Sequence, residues 1–186
     1  MADNKIYLMP GRGDKLDDFL GSSLAQMGFE VYGREILYDF ANLHFPQQLQ
    51  IIKNDIKTLF WREESNLIGD SYGAYLLLHA LAEIAAFPGR ILLFSPVLGE
   101  AIDKQNLYLS RPPRAKKLLQ LAKIKKIPIP RYLEIHTGAE DKGCDPLLAQ
   151  KISSLITNSK NFIIEGKGHR LNKTYINSVI KEFLNA

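Results

Sequence analysis

The chain alternates repeatedly between short apolar runs and segments with helical spacing, and this alternation restricts the fold more than any other feature of the sequence. Lys5–Met9, Phe29–Tyr32, Asn66–Ile68, Arg90–Phe94, Tyr132–His136 and Asn161–Ile164 read as six strands. Between and after them, helical spacing predicts helices over Leu16–Gly28 with Asp14 as cap, over Pro46–Phe60, and from the turn at residues 69–73 to Ala86. Further helices are expected over Pro113–Lys126, from Pro146 with Asp145 as cap, and over Leu171–Leu184. Residues 34–45 carry no clear period and are expected to be irregular. Strands separated by helices cannot be joined by hairpins. They imply a parallel sheet covered on both faces. The expected fold is therefore α/β: a three-layer α/β/α sandwich around a mainly parallel six-stranded sheet. At 186 residues it is expected to form one domain, residues 1–186. In such sheets ligands gather outside the carboxyl ends of the strands, where the strand order reverses.

Composition narrows the classes of function. Hydrophobic residues make up 46% and charged residues 24%, the balance of a globular chain rather than a disordered one. There is no apolar run of about 18 residues, so no membrane span is expected. The N-terminus lacks the layout of a secretory signal, and Cys144 is the single cysteine. Both suit a cytoplasmic protein. Neither that cysteine nor the four histidines show metal-ligand spacing, and no metal or cofactor is expected.

The chemistry concentrates in Gly69-Asp70-Ser71-Tyr72-Gly73, a GxSxG pentapeptide between an apolar strand and a strong helix. That context is what a nucleophile elbow requires. The turn is so tight that positions two before and two after the serine must be small, which Gly69 and Gly73 satisfy. Ser71 then sits at a helix N-terminus, where partial positive charge favours a developing anion. A serine hydroxyl needs a base. His169, in Gly166-Lys167-Gly168-His169 after the sixth strand, is the candidate. His79, eight residues beyond Ser71, should lie about 12 Å away along the helix axis. His44 falls in an irregular stretch, and His136 ends a strand where packing explains it.

A third group must hold the imidazole in one tautomer. Asp141, in Gly138-Ala139-Glu140-Asp141 after the fifth strand, is preferred over Glu140, which points elsewhere, and over Asp145, a helix cap. Two backbone N–H groups should stabilise an oxyanion. One belongs to Tyr72, next to the nucleophile. The other comes from the loop after the first strand, where Pro10 cannot donate and Arg12 is favoured over Gly11. If these roles hold, Ser71 Oγ should lie within hydrogen-bond reach of His169, with Asp141 on the far ring nitrogen. A large separation would instead favour a non-catalytic binding protein.

Taken together, the glycine-containing loop after the first strand, GDSYG, GAED and GKGHR, in the order Ser, Asp, His, resemble the α/β-hydrolase family over about residues 5–184. The resemblance implies a compact serine hydrolase acting on an ester or thioester, with oxyanion roles for Arg12 and Tyr72. Two departures stand out. The oxyanion loop begins Pro10-Gly11 rather than His-Gly, and the chain is short. Residues 97–131 would form only a modest lid.

That segment holds nine Lys or Arg against Glu100 and Asp103, a local charge of +7 in a chain of net +4. Its positive field is expected to favour a partly anionic small-molecule substrate. Leu107, Tyr108, Leu109, Leu118, Leu119 and Leu121 are expected to supply an apolar acyl pocket. No repeated stacking residues mark the segment as a nucleic-acid binder. Gly11-Arg12-Gly13 falls short of a dinucleotide fingerprint, because Leu16 stands where its third glycine belongs. Arg12-Gly13-Asp14 spells a three-residue adhesion motif that the loop's place after the first strand explains without it.

Overall fold

The computed structural model describes residues 4–104, 111–127 and 131–185. Six strands form one sheet: β1 (Lys5–Met9), β2 (Glu30–Gly33), β3 (Asn66–Asp70), β4 (Arg90–Phe94), β5 (Tyr132–Gly138) and β6 (Ser159–Ile164). Their order is β2-β1-β3-β4-β5-β6 and every pairing is parallel. The order reverses at β1 and β3, so the crevice outside the ends of those two strands is the place for chemistry.

Side-chain alternation along the strands sorts the core into two halves. Tyr7, Met9, Leu67, Ile91, Leu93, Leu133 and Ile135 face one way. They pack against α3 (Phe45–Leu59), α4 (Ser71–Leu81), α5 (Lys117–Lys123) and α6 (Pro146–Ser154). Ile6, Leu8, Ile68, Leu92 and Phe94 face the other way, against α1 (Phe19–Gln26) and α7 (Lys173–Asn185). The α/β/α layering is the one expected. α4 is buried at every position from Tyr72 to Leu81, as a helix that is apolar all round must be.

Several boundaries differ from the sequence reading. α1 begins at Phe19, not Leu16, and Asp14 does not cap it. The Leu16 carbonyl folds over Gly21, where any side chain would collide with it, and the Leu16 N–H donates to Glu35 Oε1 at 2.9 Å. A short α2 (Tyr38–Asn42) occupies the stretch expected to be irregular. Its Phe40 carbonyl accepts from Gln48 Nε2 at 2.8 Å. α4 stops at Leu81 rather than Ala86. The chain tightens there into three-residue turns at Glu83 and Ile84, and Glu83 pairs with Lys53 at 2.8 Å and Arg114 at 2.9 Å. Asp145 caps α6 as expected, accepting from the Leu147 N–H at 2.9 Å.

The basic segment is knitted into the core. Val97, Leu98, Ala101, Leu118, Ala122 and Ile127 are buried, and Leu119 and Leu121 pack against the same cluster. Tyr75 donates to the Pro113 carbonyl at 2.5 Å, and Arg114 lies over the Phe45 ring. α5 is shorter than the helix expected over 113–126. Leu107, Tyr108 and Leu109 lie outside the described residues.

Candidate active site

β3 runs directly into α4 at Ser71, whose φ of +48° is left-handed. That strain is characteristic of residues held by a surrounding structure. Two glycines permit the turn. A Cβ at Gly69 would lie 2.8 Å from Ala74 Cα, and one at Gly73 would lie 2.2 Å from the carbonyl oxygens of Met9 and Pro10. The Tyr72 N–H, in the first turn of α4, has no helical carbonyl four residues back to bond.

The loop after β6 brings His169 to the same edge. Gly166 takes φ +65°. Gly138, at the end of β5, meets the loop so closely that a Cβ there would lie 2.3 Å from the carbonyl oxygens of Lys167 and Gly168. The Glu140 N–H donates to the Lys167 carbonyl at 2.9 Å. The loops after β5 and β6 are thus stitched together, and they place Asp141 beneath the imidazole.

The distances form one line. Ser71 Oγ lies 3.0 Å from His169 Nε2, and His169 Nδ1 lies 3.0 Å from Asp141 Oδ2. The Asp141 side chain is fully buried, while that of His169 is 41% exposed. The other carboxylate oxygen, Asp141 Oδ1, accepts from the N–H groups of Gly143 and Cys144, each at 2.8 Å. With Oδ1 so occupied, Oδ2 is the atom that accepts from the imidazole. Nδ1 therefore carries the imidazole proton, and the Nε2 lone pair faces the serine hydroxyl.

The electrostatics follow from these contacts. The hydrogen bond to Asp141 raises the proton affinity of His169 above that of an ordinary imidazole, against the opposing effect of burial. Asp70, beside Ser71, is pushed up to about 7, chiefly by burial, with Asp14 and Asp141 adding repulsion. Burial likewise pushes the Cys144 thiol up. Asp141, Cys144 and His169 could converge on a cation by distance alone. Their chemistry does not fit one, because the carboxylate and imidazole bond each other and Cys144 Sγ donates to the Ser95 carbonyl at 2.7 Å.

Ser71 and His169 open into a cavity of about 550 Å³. Gly11 and Arg12, from the loop after β1, line it with Phe19, Leu20, Phe94, Leu171 and Ile176. Arg12, Lys15, Arg170 and Lys173 bring positive charge to it, and Asp14, Asp18 and Asp70 bring negative charge. None of the described residues of 97–131 lines this cavity; its walls come from residues 10–20, from the ends of β3 and β4, and from residues 169–176. A second depression of about 610 Å³ lies between α1 and α7 and holds none of the three residues.

The likeness to solved structures supplies the frame. A monoacylglycerol lipase from Paleococcus ferrophilus superposes with TM-score 0.66 at 14% identity, covering 97% of this chain and 93% of the other. Carboxylesterase CesB from Bacillus subtilis gives 0.68 at 14%, covering 97% and 83%. An esterase from Rhodococcus gives 0.64 at 13%, covering 98% and 90%. The chain has the α/β-hydrolase fold. No protein-family model matches it and no curated protein matches it in sequence.

Within this α/β-hydrolase fold, the structure brings Ser71, His169 and Asp141 together; Tyr72 follows the serine in α4, and Arg12 lines the cavity onto which Ser71 opens. The remaining histidines lie elsewhere. His79 is buried in α4 against Tyr75 and Phe45. His136 is buried in β5, stacked on Phe162 and bonded to Glu134 and Tyr175 at 2.7 Å each. Sequence reasoning missed two residues. They are Asp70, to which the pentapeptide pattern assigns no role, and Ser95, which follows β4 outside any motif.

Proposed function

We propose that this chain is a serine hydrolase that cleaves a carboxylic ester or thioester through an acyl-enzyme. The observation carrying this reading is the unbroken line from Ser71 Oγ through His169 to Asp141, with 3.0 Å at each step. Ser71 Oγ attacks the carbonyl carbon while His169 Nε2 takes its proton, and Asp141 stabilises the imidazolium without accepting the proton. The carbonyl oxygen becomes an oxyanion, bound by the Tyr72 N–H and by the loop after β1, with Arg12 the favoured donor and Gly11 the alternative. Collapse expels the alcohol or thiol, which takes the proton from His169. Water, deprotonated by the same imidazole, then attacks the acyl-serine and releases the acid.

The substrate in this reading is a small molecule. Arg12, Lys15, Arg170 and Lys173 around the cavity favour one with a negatively charged portion, and the apolar wall of Phe19, Leu20, Leu171 and Ile176 suits an acyl chain. A single buried cysteine suits a reducing cytoplasm. Among the described residues no helix is long and apolar enough to cross a membrane.

A series of chromogenic esters of increasing acyl length tests the proposal, run on the native protein and on Ser71→Ala. Native turnover that vanishes in Ser71→Ala, with an unchanged circular-dichroism spectrum, is the expected result. Turnover that survives the substitution refutes it.

A further inference from the structure

Ser95 follows β4 with φ +40° and is 1% exposed. A left-handed backbone is costly for any residue but glycine, so this position holds a side chain against the preference of its main chain. The side chain has a specific partner. Ser95 Oγ donates to the main-chain carbonyl of His169 at 2.7 Å.

The other polar groups of Ser95 reach the same neighbourhood. Its N–H donates to the His136 carbonyl at 2.7 Å, which fixes the end of β4 against β5. Its carbonyl accepts from Cys144 Sγ, and the N–H of that cysteine holds Asp141 Oδ1. Two residues on, the Val97 N–H donates to the Ser71 carbonyl at 3.0 Å. The end of β4 therefore touches the backbone of the base, the clamp on the acid and the backbone of the nucleophile.

His169 needs such a restraint. It stands at the end of a loop containing Gly166 and Gly168, residues with few conformational limits of their own, yet its ring must satisfy two partners at 3.0 Å each. We infer that Ser95 is a positioning residue: its hydroxyl fastens the His169 main chain and so sets the imidazole between Ser71 and Asp141. This rests on the hydrolase reading for its catalytic consequence, but its geometric content stands without it.

Ser95→Ala and Ser95→Gly test the inference in the full-length protein. The glycine variant removes the hydroxyl while relieving the backbone, so it remains informative if the alanine variant folds poorly. The first readout is the titration of the His169 ring by NMR. The native ring should titrate above the ordinary imidazole value. In both variants the midpoint should fall towards that value as the bond to Asp141 loosens, a change that loss of fold stability alone would not produce. The second readout is the rate at which a fluorophosphonate modifies Ser71, expected to fall on the order of ten- to a hundredfold in the variants. Native-like titration in Ser95→Gly overturns the inference, as does a labelling rate within twofold of native. A native protein that is never labelled refutes the hydrolase reading instead, and the titration then decides the role of Ser95 by itself.

Discussion

Acid should destabilise this fold through His79, a residue outside the proposed chemistry. The ring is 2% exposed and sits edge-on to Tyr75 and Phe45, with centroids 4.4 and 5.2 Å away. Its Nε2 is buried with no hydrogen-bond partner among the described residues. Burial, reinforced by Arg114 and Lys117 and opposed by Glu83, lowers its pKa to about 4 from the ordinary 6.5. The unfolded chain therefore binds a proton below pH 6.5 that the folded chain refuses until about pH 4. Stability falls as pH drops through that window and is fully recovered above it. The shift corresponds to roughly 3 kcal/mol, a large part of the ~5–15 kcal/mol that holds a typical domain together. Urea unfolding of the native protein and of His79→Phe, each at pH 7 and pH 4, measures this directly. The native protein should lose about 3 kcal/mol more than the variant between the two conditions. Equal losses in both would refute the assignment of the acid sensitivity to this ring.

The remaining predictions concern the elbow and the triad. Gly73→Ala places a methyl 2.2 Å from two backbone carbonyls that cannot rotate away; it should cost about 3 kcal/mol or more in urea unfolding, and a cost below about 1 kcal/mol would contradict the packing described. Asp141→Asn should lower ester turnover by on the order of 10³–10⁴-fold while the protein stays folded, because the amide favours the wrong imidazole tautomer. In the proposed mechanism turnover requires neutral His169, whose proton affinity is raised, so the rate should fall with decreasing pH through a midpoint above 6.5. Asp70 helps to favour the imidazolium. Asp70→Asn should therefore move that acid limb to lower pH, and an unmoved pH–rate profile would contradict the coupling.

The parts of the fold that were legible are those written in local pattern. Six apolar runs became six parallel strands because strands buried on both faces need little else to declare themselves. Gly69 and Gly73 identified the elbow because a turn that tight excludes side chains for local reasons. The misses have non-local causes. α2 has no periodic signature and is held by contacts such as that of Gln48 with Phe40. α1 starts late because Leu16 folds back over Gly21 and bonds Glu35, nineteen residues on. The bond from Ser95 to His169 spans 74 residues, and no short motif encodes it. The high proton affinity of Asp70 arises mainly from burial by residues distant in sequence. The apolar residues of the basic segment were legible as a cluster but not as to what they would cover. Leu118, Leu119 and Leu121 pack in the main core, while the cavity at Ser71 is walled by residues 10–20 and 169–176, among others.

The reactivity of one hydroxyl bears most directly on all of this. The native protein can be treated with a fluorophosphonate at neutral pH, digested and mapped by mass spectrometry. A single covalent adduct on the peptide carrying Ser71, abolished by His169→Ala in a folded protein, is the predicted result. An unmodified Ser71, or an adduct that forms equally fast without the imidazole, would contradict the account.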